Sequence, residues 1–138
     1  MEIEIHWTFA ENEDDEILNF HRVLYAYTDG AGKNIFYIGK ADGCSVKQRL
    51  RGSHKKDVFE YLEKKVGLSE YGLAVGEFHL PEGRRLSPEL ISDAESLLIY
   101  ILKPRANIQS VESRISRPGM ELICYGDWPY HENHFVDD

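Results

Sequence analysis

Two tyrosines and the residues around them carry the densest chemical signal in the chain. Tyr25 and Tyr37 are separated by eleven residues and fall on two short runs predicted to be neighbouring strands, so their hydroxyls can converge on one point. Lys40 follows the second run, and Arg49 lies in the basic stretch beyond it. Glu95 stands apart, on a segment where Leu90, Ile91, Ala94, Leu97, Leu98 and Ile101 form an apolar helical face. Ile91 and Ile99 lie four residues to either side of it. A carboxylate in so apolar a setting calls for a counter-charge, and a hard cation such as Mg²⁺ or Mn²⁺, which prefers oxygen ligands and keeps several waters, supplies one. Phenols, cations and a metal-binding carboxylate are the groups that in-line attack on a phosphodiester needs. One group takes or directs the proton of water, others absorb charge on the phosphoryl oxygens, and the leaving oxygen must be stabilised. Taken singly, each has an ordinary reading: a strand tyrosine fills core, and a helix arginine is solvated.

The elements that must position these groups follow from periodicity and turn chemistry. Glu2 to Phe9 alternates polar and apolar residues (Ile3, Ile5, Trp7, Phe9), as a half-buried strand does. Arg22 to Thr28 and Asn34 to Ile38 are joined by Asp29-Gly30-Ala31-Gly32-Lys33, which predicts a β-hairpin. Ser45 to Val66 has apolar residues at helical spacing, with Gly52 expected to kink or split it. Leu73 to Leu80 reads as a strand ended by Pro81. Ser87-Pro88-Glu89 is a helix start whose helix runs until Lys103-Pro104 stops it, and Met120 to Tyr125 reads as a last strand, placed beside the first. The expectation is an α+β domain: a small, mostly antiparallel three-stranded central sheet flanked by helices, with strands added at the N- and C-termini.

Val23-Leu24-Tyr25 followed, eleven residues on, by Tyr37-Ile38-Gly39-Lys40 closely resembles the two signature segments of the GIY-YIG nuclease family. Lys47-Gln48-Arg49-Leu50 is similar to the arginine-bearing start of that family's first helix. Glu95 falls in its metal-binding helix, and Leu102-Lys103-Pro104-Arg105-Ala106-Asn107 resembles the segment that closes the module. The likeness spans about residues 22–108 of a chain read as one domain, residues 1–138, with an acidic N-terminal arm and a C-terminal extension. The first signature departs from the family pattern in reading Val-Leu-Tyr. The loop before Arg49 is longer than the pattern, which leaves Arg51 as the alternative arginine, and Leu50 after Arg49 favours Arg49. A tyrosine or histidine usually follows one turn later; here Ser53 holds the fourth position and His54 the fifth.

The resemblance implies a metal-dependent endonuclease acting on DNA, with Tyr25 as general base, Tyr37 positioning water or phosphate, Lys40 tuning the tyrosines and Arg49 clamping the scissile phosphate. His54 is carried over as a further catalytic candidate and Glu95 as the ligand of Mg²⁺ or Mn²⁺. Lys40, Lys47, Arg49, Arg51, Lys55 and Asn107 are the expected nucleic-acid contacts, with Asn107 also suited to tying backbone after Pro104. Two other readings are a non-catalytic nucleic-acid-binding module on the same fold and an acidic protein-interaction or regulatory protein.

Charge bears on the choice. The net charge of −8 argues against a polyanionic partner until its distribution is considered. Residues 1–20 hold seven acids and no Lys or Arg, whereas Lys33 to Lys65 carries nine basic residues against four acidic ones. A chain this compact has little room for a separate DNA-reading domain, so sequence specificity is expected to come from a protein partner or a homodimer. With no long apolar run and no basic leader at the N-terminus, a cytoplasmic protein with no membrane association is expected. Cys44 and Cys124 lack a paired spacing and read as thiols. His131, His134 and Cys124 have loosely metal-like spacing in a polar tail and read as solvated tail; Trp128 reads as packing that tail against the sheet.

Overall fold

Strand alternation at the N-terminus builds the middle of the sheet rather than its margin. In the computed structural model, which describes residues 2–51, 58–67, 70–107 and 119–137, strand β1 (Glu2–Phe9) buries Ile3, Ile5 and Trp7 almost completely while Glu2 and Glu4 face solvent. The remaining strands are β2 (Val23–Asp29), β3 (Ile35–Ala41), β4 (Tyr71–His79), β5 (Glu121–Gly126) and β6 (His134–Val136). They form one six-stranded sheet in the order β3-β2-β4-β1-β5-β6. Neighbours are antiparallel except β1 and β5, which pair in parallel from Glu2 with Glu121 to Trp7 with Gly126.

This corrects the expected architecture. There is no small three-stranded sheet flanked by helices and extended by terminal strands: the sheet is mixed and six-stranded, and the N-terminal strand sits inside it between β4 and β5. The physical reason is the inward row Ile3, Ile5, Trp7. It lies under the same helix as Leu24, Ala26 and Ile38 of the hairpin and Leu122 and Cys124 of β5, in one continuous core.

That helix, α2 (Pro88–Leu102), forms where the sequence predicts it. Ser87 caps it by accepting a hydrogen bond from the Leu90 amide at 3.1 Å, Pro88 opens its first turn, and Lys103 ends it in a left-handed conformation ahead of Pro104. Its buried side chains Leu90, Ile91, Leu97 and Leu98 each contribute about 1.5–3 kcal/mol relative to remaining exposed. The opposite face of the hairpin carries a second core. There Tyr25, Tyr27, Tyr37 and Val75 pack against Val46 of the short helix α1 (Val46–Leu50) and against Val58 and Leu62 of a further helical segment, whose residues Leu62–Val66 wind as a π-helix. The hairpin has the expected turn. Asp29 accepts hydrogen bonds from the Lys33 amide at 2.7 Å and from Asn34, and Gly32 takes a positive φ of 70°. Gly52, expected to split a long helix, lies outside the described residues.

Candidate active site

The hairpin register decides which side chains meet. Tyr27 stands opposite Tyr37, and Tyr25 opposite Gly39, so all four point to the face covered by α1. The three phenol rings form a cluster: centroids are 6.2 Å apart for Tyr25 and Tyr37, 6.1 Å for Tyr25 and Tyr27, and 5.7 Å for Tyr27 and Tyr37. Gly39 is required beside them, because a Cβ built there would come within 2.5 Å of the Tyr25 Cζ and hydroxyl.

Helix α1 brings Arg49 to this cluster. Its start is fixed by a capping box in which Ser45 and Gln48 satisfy each other's amides, and the Val46 amide bonds the Phe20 carbonyl. Arg49, exposed on α1, lies near enough to Tyr25 and Tyr37 for its charge to act on both phenols, and Tyr25 acts on Tyr37. Arg51 does not share that orientation. It lines a cavity on the far side of Tyr27 together with Lys47, so Arg49 is the arginine that meets the two signature tyrosines.

Glu95 comes from α2 and is half-buried; its charge acts on Tyr37. Tyr37 of β3 thus feels Tyr25 of β2, Arg49 of α1 and Glu95 of α2, four residues from four elements. Among the described residues no group of three or more His, Cys, Asp or Glu side chains is arranged to hold a metal. A single half-buried carboxylate nevertheless suits Mg²⁺, whose coordination is completed by waters and substrate oxygens, so the donor chemistry of Glu95 fits such an ion.

Arg49 does lower the pKa values of Tyr25 and Tyr37, but burial outweighs it and the net shift of both phenols is upward. Tyr25 is pushed well above the ordinary phenol value by burial, reinforced by Tyr37 and Tyr27 and only partly offset by Arg49. Tyr37 is raised by burial and by Glu95, against the lowering influence of Tyr25 and Arg49. Lys40 has no part in this. Strand alternation puts it on the other face, where its ammonium donates to the Ser92 hydroxyl of α2 at 2.5 Å. Ser92 lies three residues before Glu95, so the bond ties Lys40 of β3 to the helix that carries the carboxylate.

Asn107 is spent on structure. Its Oδ1 accepts from the Ile38 amide at 2.9 Å and its Nδ2 donates to the Ile38 carbonyl at 2.8 Å, both buried. With the Ala106 amide on the Phe36 carbonyl, the segment after Pro104 closes the open edge of β3. His54 and Lys55 lie outside the described residues. Of the residues read as solvated tail, His131 and His134 are exposed, His134 pairing with Glu121 at 3.3 Å, but Cys124 is not: it lies buried in β5 within the main core, while Trp128 packs 5.5 Å from Trp7 as expected. Sequence reasoning passed over Tyr27 as a member of the cluster, though the two-residue strand period from Tyr25 carries that signal. It also missed Ser92, which no spacing rule marks. Among the described residues no helix is long and apolar enough to cross a membrane.

No protein-family model, curated protein or solved structure matches this chain.

Proposed function

We propose that the protein is a divalent-metal-dependent endonuclease that hydrolyses phosphodiester bonds, with DNA as its substrate. The observation that carries this reading is the chain of electrostatic influence across four separate elements, in which Arg49 acts on Tyr25 and Tyr37 and Glu95 acts on Tyr37, so that phenols, a guanidinium and a carboxylate fall in one neighbourhood. Arg49 holds a phosphoryl oxygen and stabilises the charge that grows there during attack. Tyr25, protonated at neutral pH because burial holds its proton, orients the attacking water or the phosphate by hydrogen bonding, and Tyr37 steadies Tyr25. Glu95 holds the metal, which when bound supplies Lewis acidity and lowers the pKa of water. Lys40, through Ser92, ties β3 to the helix that carries Glu95.

Plasmid, single-stranded DNA and RNA incubated with the protein in Mg²⁺, Mn²⁺ or EDTA test this. Metal-dependent cleavage by the wild type and its loss in Glu95→Gln are expected; undiminished cleavage by Glu95→Gln, or no cleavage in any condition, overturns the reading. The raised phenols favour a second reading, a non-catalytic nucleic-acid-binding module on the same residues, which predicts binding without cleavage in all three conditions.

A further inference from the structure

Behind Tyr27 lies a cavity of about 560 Å³, within the size range of small-ligand sites. Its walls are of two kinds. One is aromatic and continues the phenol cluster: Phe59 lies 5.1 Å from Tyr27, and Tyr71 lies 5.6 Å from Phe59, both only partly buried. The other is charged, lined by Lys47 of α1, Arg51 at its C-terminal cap, and Glu11 and Glu13 of the segment that follows β1. Tyr27, 2% exposed, lines the same space, and its buried hydroxyl has no hydrogen-bond partner among the described residues. That hydroxyl is closed off from solvent, so Tyr27 meets the cavity as a ring wall and not as a hydrogen-bond donor.

We propose that this cavity takes one unpaired nucleotide of the substrate strand, its base against the Phe59 and Tyr71 rings and its phosphate on Lys47 and Arg51. The inference rests on the nuclease reading and names its substrate class: nucleic acid with an unpaired nucleotide beside the scissile bond. Three observations agree on it. Phe59 and Tyr71 line the cavity and are only partly buried, and aromatic side chains bind bases by stacking with little regard to sequence. Cations within the same cavity match the phosphate that accompanies a base and would be wasted on an apolar ligand. Continuity through Tyr27, which touches both Tyr25 and Tyr37, puts the cavity one ring away from the catalytic cluster.

The test uses short single-stranded oligonucleotides carrying one 2-aminopurine at successive positions, titrated with full-length protein in EDTA, with anisotropy reporting binding and fluorescence reporting stacking. Quenching at one position is expected. Phe59→Leu, which keeps apolar volume and removes the ring, should abolish that quench and weaken binding by about tenfold. Replacing the stacked base by an abasic site should cost the wild type a similar factor and cost Phe59→Leu almost nothing further, a coupling that loss of packing alone does not produce. Arg51→Gln, an exposed substitution that folding tolerates, should weaken binding several-fold and keep the position of the quench. Binding without quenching at any position, no binding at all, or additive losses for the abasic site and Phe59→Leu overturn the subsite. Cleavage of plasmid by the same preparation separates the two proposals: cleavage without quenching removes the subsite alone, and quenching without cleavage removes the nuclease.

Discussion

Tyr25 lies flat over Gly39, so close that a single methyl group on the glycine would occupy the space of the phenol's Cζ and hydroxyl. The third residue of the Tyr-Ile-Gly segment is thus a socket for the first signature's tyrosine on the neighbouring strand. Gly39→Ala should displace the ring, cost about 1–3 kcal/mol as overpacked cores do, and break the Tyr25 contact with Arg49. Thermal melting and cleavage measured on one preparation check this. An unchanged melting temperature with full activity would show that the ring has room to move.

Tyr25 and Tyr27 share a face and both pack on Tyr37, but only Tyr25 engages Arg49. Tyr25→Phe should therefore lower kcat by about tenfold or more, the scale of removing one hydrogen-bonding group from an active site. Tyr27→Phe should spare kcat and raise KM. Equal losses of kcat in the two variants would mean that the hydroxyls act as one packing network.

The local elements were legible because each is written in residues close together. The hairpin is announced by Asp29 to Lys33, α2 by Ser87-Pro88 at one end and Lys103-Pro104 at the other, and the order of the site residues by their spacing. The sheet was not legible as a whole. The alternation of Ile3, Ile5 and Trp7 says that one face of β1 is buried and says nothing of its neighbours, which are β4 on one side and, in parallel, β5 from the opposite end of the chain. Lys40 was misread for a related reason. Its nearness in sequence to Tyr37 hid the strand parity that sends it to the opposite face, onto Ser92. The phenol pKa values depend on burial, which is a property of the assembled core.

Asn107 supplies both a donor and an acceptor to the main chain of Ile38. Asn107→Ala leaves the Ile38 N–H and C=O buried and unmatched, at a cost of about 2–4 kcal/mol. Asn107→Asp keeps the acceptor but sets a buried carboxylate oxygen against the Ile38 carbonyl, and should be at least as destabilising as Asn107→Ala at neutral pH. Urea unfolding of the three proteins provides the ranking; equal midpoints would show that water replaces the amide without penalty.

Alkaline pH should unfold the protein through its buried acids. Burial raises Tyr25 and Tyr27 above their ordinary value of 10.0 and pushes the Cys124 thiol from 9.0 up to about 12. Each folded pKa exceeds the unfolded one, so the native state keeps protons that the unfolded state releases. That stability is complete below the unfolded pKa and is lost as pH rises above it. The decline starts near pH 9 with Cys124 and steepens above pH 10 as the tyrosines join, by about 1.4 kcal/mol per pH unit for each group. Cys124→Ala should remove the first part of the decline and Tyr27→Phe should flatten the second. Melting temperatures that stay level from pH 8 to 11 would contradict the burial of all three.

The acidic arm faces the same cavity as the two basic residues of α1, and this bears on how a protein of net charge −8 approaches a polyanion. Glu11 and Glu13 line it together with Lys47 and Arg51, where they reduce the local positive potential that an incoming phosphate meets. Not every acid of the arm is available for substitution. Asp15 accepts from the Glu11 and Ile17 amides, at 2.8 and 3.1 Å, and holds the short helical turn that follows, so neutralising it would disturb the fold as well as the charge. Glu11→Gln with Glu13→Gln removes two charges, taking −8 to −6, and leaves that turn intact. The double variant should bind DNA more tightly at low salt and lose affinity more steeply as salt rises, because in the wild type screening weakens repulsion and attraction together. Single-turnover cleavage of bound substrate should be unchanged, since neither glutamate belongs to the Tyr25, Tyr37, Arg49 and Glu95 cluster. Affinity equal to wild type at low salt would show that the arm does not influence approach; weaker affinity would show that the glutamates themselves accept hydrogen bonds from the nucleic acid.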